Sequence, residues 1–107
     1  MTTFDKREEG FEKQFAHDEE LRFKATARRD RLLGLWAAGL LGLAGAEADA
    51  YAKALVMADL DTPGADAIFK RIRSDFDAKS VVQSDHQIRR HMDELMAQAV
   101  AQVKASG

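Results

Sequence analysis

The side chains with the greatest chemical potential in this chain are its histidines and paired carboxylates, and their spacing gives them little to do. His17, His86 and His91 are the three histidines, and the chain has no cysteine. His86 and His91 are five residues apart, which turns them to different faces of a helix, and no HExxH pair or clustered ligand set is present. We read them as surface or capping residues. Asp59 with Asp61 and Asp75 with Asp77 are read as charge pairs at helix ends or on wet faces, with nothing to drive acid–base duty. Gly39, Gly42 and Gly45 are not followed by the Lys-Ser/Thr of a phosphate-binding loop. Trp36, Tyr51, Met92 and Met96 have helical spacing and are read as core. We therefore expect no catalytic residue, no metal and no cofactor, and a protein that is not an enzyme.

Binding chemistry is better represented, at the N-terminus. Phe4, Phe11 and Phe15 are seven and four residues apart, so a helix would carry all three on one narrow stripe. Around them lie Arg7, Glu8, Glu12 and Lys13. Glu, Lys, Arg and Gln favour helix, whereas Gly10 disfavours it by about 1 kcal/mol relative to Ala. Three large apolar side chains cannot offset backbone ordering of roughly 1–2 kcal/mol per residue. The segment either extends the first helix as a solvated end or docks in a groove on another protein. In the second case Phe4, Phe11 and Phe15 are the anchors, with charged residues at the rim.

The rest of the chain is organised around Leu21 to Leu43. Its first half is rich in Arg and Lys; from Leu32 onward Leu32, Leu33, Leu35, Trp36, Leu40, Leu41 and Leu43 occupy nearly the whole helical wheel. A helix that loses its polar face is surrounded by others, so a central helix is predicted from Asp18 to about Gly42. Gly34 and Gly39 inside it suit a close helix crossing or a kink. A second helix, ending near Leu60, carries Ala48, Tyr51, Leu55 and Ala58 inward. Thr62 as cap and Pro63 as first helical residue would open a third, with Ala65, Ile68, Phe69, Ile72 and Phe76 inside. Val81 and Val82 fold back from the loop at 79–83. Ser84 and Gln87 have capping-box spacing for a fourth helix carrying Ile88, Met92, Leu95, Ala99 and Val103. The expected core is thus Leu32, Leu33, Trp36, Leu40, Tyr51, Leu55, Phe69, Ile72, Phe76, Ile88, Met92 and Leu95. Four helices on short turns make an all-α antiparallel four-helix bundle, divided as a docking segment at 1–17 and a bundle at 18–107.

Bulk properties narrow the field further. The length, 107 residues, suits one domain. Residues 1–31 hold eight acidic and eight basic side chains, so no basic field forms and nucleic acid is not expected as a partner. The patch of Arg28, Arg29 and Arg31 is small and has Asp30 within it. The start TTFDKREEGFE lacks a secretory pattern. Leu32 to Ala46 is apolar but shorter than the roughly 20 residues a bilayer requires. A soluble, cytoplasmic chain that is monomeric when free is expected.

The run FEKQFAHDEELRFKATARRDRLLGLWAAGLLG, together with YAKALVMADL at 51–60, the Pro63 turn and SDHQIRRHMDEL at 84–95, resembles the zeta subunit of the alphaproteobacterial ATP synthase. The part from Phe11 to Trp36 is the most specific. The resemblance implies a four-helix protein whose N-terminal segment enters the catalytic interface between the α and β subunits of the F1 sector. There it would block ATP hydrolysis by jamming rotation in one direction, as the mitochondrial ATPase inhibitor protein does. The inhibitory stretch then maps to Thr2 to about Glu19, with Phe4, Arg7, Glu8, Phe11, Glu12 and Phe15 in contact, the rotor being a further possible contact. The protein would sit at the inner membrane through the synthase. Competing readings are a non-inhibitory structural or assembly factor of the synthase, and a small nucleotide-binding bundle. Weak adenine-nucleotide binding stays open at this point, with no residues to place it.

Overall fold

A computed structural model describes residues 19–106. Those residues form four helices: α1 (Glu19–Leu40), α2 (Gly45–Asp61), α3 (Ala65–Ala78) and α4 (Asp85–Ser106). Each reverses direction on the one before, giving an up-down-up-down bundle in which α1 packs along both α2 and α4.

Local chemistry accounts for the helix ends. Leu43 N–H bonds to Ala38 O at 2.9 Å and Gly42 N–H to Gly39 O at 3.2 Å. Gly42 has φ +82°, so α1 closes in a Schellman motif with glycine at the left-handed position. The end of α3 repeats the arrangement with Val81 N–H on Phe76 O at 2.9 Å, but here Ser80 takes φ +57°. The expected capping box opens α4: Ser84 N–H bonds to Gln87 Oε1 at 2.9 Å, and Gln87 N–H to Ser84 Oγ at 3.1 Å.

The opening of α3 differs from expectation. Thr62 is the last residue of the α2 end, its N–H bonded to Ala58 O at 2.9 Å. Gly64 is the N-cap, with φ +133° and no side-chain capping bond. Pro63 therefore lies in the turn rather than in the first helical turn. Ala65 is exposed rather than inside.

Packing between α1 and α2 is governed by small residues. A Cβ on Gly34 would come within 2.6 Å of Ala52 Cα, while one on Gly39 would meet open space. Gly34 therefore serves the close crossing and Gly39 does not. That crossing turns Gly34, Ala37 and Ala38 inward beside Leu33. The main core joins Leu33 and Ala37 to Leu55, Ile68, Phe69, Ile72, Phe76, Ile88 and Met92, with half-buried Trp36, Tyr51 and Leu95 packed against them. Leu32 is also only half-buried. A smaller cluster of Ala25, Val100 and Val103, flanked by Leu21 and Met96, joins the start of α1 to the end of α4.

Two expected core or plug residues lie outside. Leu40 is 40% exposed, because the inward face of α1 is set by its small residues and Leu40 falls beyond their reach. Val82 is 93% exposed while Val81 packs on the core; once Val81 N–H closes the α3 end, its neighbour projects the other way.

Candidate functional site

The six residues expected to contact a partner, Phe4, Arg7, Glu8, Phe11, Glu12 and Phe15, lie outside the described residues. The described chain supplies what adjoins them: the first half of α1 and the elements packed against it.

An ionic cluster lies beneath this region. Arg29 Nε donates to Asp30 Oδ1 at 2.8 Å, and Arg29 Nη2 is 3.8 Å from Asp59 Oδ2 on α2. Asp59 Oδ1 accepts the N–H of Gly64 at 3.1 Å, which ties the α2–α3 turn to α2. Asp59 Oδ2 is buried with no hydrogen-bond partner. Asp30 is 1% exposed, and all three side chains belong to the interior. Burial pushes the Asp30 carboxyl up to about 8, the neighbouring Asp59 carboxyl adds to the rise, and Arg29 opposes it. A carboxyl raised this far favours its protonated, uncharged form at neutral pH.

The burial of these three residues goes beyond the sequence reading, which placed Asp59 at a helix end or on a wet face and counted Arg29, with Asp30 beside it, in a small basic patch. A signal was present. Arg29 is four residues from both Ala25 and Leu33, Asp30 is three before Leu33, and Asp59 is four after Leu55. All three follow the core spacing, and their charge concealed it.

His91 is also more enclosed than expected. Its ring stacks on Trp36, with centroids 4.2 Å apart, while Trp36 meets Phe76 edge-on at 5.6 Å. His86 is exposed. Other polar contacts link helices. The Tyr51 hydroxyl donates to Asp75 Oδ2 at 2.6 Å, and burial followed by that bond raises its pKa. Arg73 holds the α3–α4 loop through Gln83 O at 2.6 Å and Asp85 Oδ1 at 3.1 Å. Arg89 lies 4.1 Å over the Phe69 ring and pairs with Asp66 at 3.1 Å.

Among the described residues, no group of three or more His, Asp or Glu side chains could hold a metal ion. No described helix is long and apolar enough to cross a membrane. The fold and its inner polar contacts define a small all-α bundle whose charged residues tie helices to one another. The model of the family described as ATPase inhibitor subunit zeta matches residues 1–102, and the chain belongs to that family. A structure solved by solution NMR is similar, with a TM-score of 0.70 and 38% identity, covering 81% of this chain and 99% of that one. No curated protein matches the chain.

Proposed function

We propose that this protein inhibits ATP hydrolysis by ATP synthase, and that residues 1–17 are the segment that acts, carried by a four-helix domain at 18–107. The observation that carries this reading is the family match, which begins at residue 1 and so takes in the phenylalanine stripe. In the finer reading, Phe4, Phe11 and Phe15 enter the interface between the catalytic α and β subunits of F1, with Arg7, Glu8 and Glu12 at its rim. A deep cleft supplies the apolar surface that the segment cannot provide for itself, and ordering the helix consumes part of the binding energy. Such a wedge needs neither a catalytic residue nor a cofactor. The free protein acts as a monomer in the cytoplasm and reaches the inner membrane only through the synthase.

A hydrolysis assay on F1-ATPase from the same organism tests this. The full chain should inhibit, a chain lacking residues 1–17 should not, and the double change Phe11→Ala/Phe15→Ala should inhibit less than Glu9→Ala, because buried aromatic anchors outweigh rim charges. Equal inhibition by all four proteins would rule out the segment as the agent.

A further inference from the structure

An apolar groove stays open between the first half of α1 and the second half of α2. Phe23 is 57% exposed and Leu60 50% exposed; with Val56 and Pro63 they line a cleft of about 350 Å³. A second cleft continues from Phe23 and Val56 toward Val103 near the end of α4. The apolar surface therefore runs to both sides of Phe23. Arg22 shares the border of the first cleft with Glu19, above the buried Asp30 and Asp59, whereas the second cleft is bordered by Lys24, Arg28 and Arg31. None of these three arginines has a carboxylate partner among the described residues, whereas neighbouring Lys24 pairs with Glu20 at 3.1 Å.

The part of the chain best placed to cover this groove is its own N-terminus. Glu19 lines the first cleft, so residues 1–18 join the bundle at the mouth of the groove. Those residues contain Phe4, Phe11 and Phe15 and have five acidic side chains against three basic ones, complementary to the basic border of the second cleft. As a helix they would extend about 27 Å, against about 18 Å along α1 from Glu19 to Arg31. A segment tethered this closely has an effective concentration in the millimolar range, which a second copy of the chain does not reach in dilute solution.

We propose that the groove formed by Phe23, Val56 and Leu60 receives the chain's own residues 1–18, shielding their phenylalanines until a target competes for them. This rests on the reading of residues 1–17 as the acting segment, and it adds a restraint: the same aromatic stripe cannot lie on the bundle and in a target cleft at once.

The absence of cysteine makes the test clean. A nitroxide attached at Thr3→Cys in the full chain should broaden the methyl resonances of Val56 and Leu60 and spare Val82, at the far end of α3. Adding Phe11→Ala/Phe15→Ala should remove the broadening, which separates docking from mere tethering. Broadening that survives the double change, or none at Val56 and Leu60, would overturn the proposal. Broadening carried between chains in a mixture of spin-labelled and isotope-labelled protein would assign the groove to a second copy and overturn it too. In the hydrolysis assay Leu60→Ser, a change at an exposed position, should inhibit at a several-fold lower concentration than the parent. An unchanged or higher concentration would count against the restraint. If no form inhibits while the broadening behaves as expected, the inhibitor reading fails and the groove assignment stands.

Discussion

Asp30 concentrates the consequences of folding into one side chain. Its carboxyl has an ordinary value of 3.8 and rises to about 8 in the bundle. Between those values the folded chain holds a proton that the unfolded chain has released. Stability should therefore fall as pH rises through that window, by at most about 1.4 kcal/mol per pH unit, and this contribution should level off above pH 8. Asp30→Asn is close in size and cannot ionise. The variant should have a higher urea midpoint than the parent at pH 7–8, with a smaller slope from pH 5 to 8. A difference between the two proteins that does not change with pH would mean Asp30 is ionised throughout. Trp36 is the other residue on which much depends. It is half-buried yet touches both Phe76 and His91, so Trp36→Ala should cost about 3 kcal/mol, toward the lower end for an aromatic truncation. An unchanged denaturant midpoint would place Trp36 on a functional surface instead.

At the scale of the helix, two glycines in α1 make opposite predictions. Gly34→Ala gains helix propensity but drives its Cβ into the α2 backbone at Ala52. It should be destabilising by about 1–3 kcal/mol, as overpacked sites are. Gly39→Ala meets nothing and should stabilise by about 0.5–1 kcal/mol. Chemical unfolding of both variants checks the pair, and a shift in the same direction for both would contradict the close crossing. The spacing of apolar residues made the four helices legible, and the capping box at Ser84 and Gln87 fixed one start to the residue. The place of the α2–α3 turn was legible at Thr62-Pro63, but its capping was not. There Asp59 reaches forward to the Gly64 N–H, a bond between residues whose roles follow from where Asp59 is buried, not from the Thr62-Pro63 pattern.

For the whole molecule, the two packed clusters both lie within residues 21–103. A chain beginning at Asp18 should therefore unfold within about 1–2 kcal/mol of the full protein, the scale at which single destabilising changes become visible. Weak docking of residues 1–18 in the α1–α2 groove fits inside that limit. A larger loss by thermal or urea unfolding would make the segment part of the core and unavailable to a target.

The sequence by itself determined the helical class, the order of the elements and most of the core, because periodicity at 3.6 residues is a local property that each segment carries alone. It also marked Phe4, Phe11 and Phe15 as a stripe in need of a surface. Tertiary structure decided which face of α1 turns inward. Helices approach most closely where their side chains are smallest, so Gly34, Ala37 and Ala38 prevailed over the larger Leu40. That same approach enclosed Arg29, Asp30 and Asp59, whose charges read as surface in one dimension. It also left Phe23 and Leu60 exposed, because α2 contacts α1 through Ala52, Leu55 and Asp59, and burial depends on what a neighbouring helix covers rather than on how apolar a residue is.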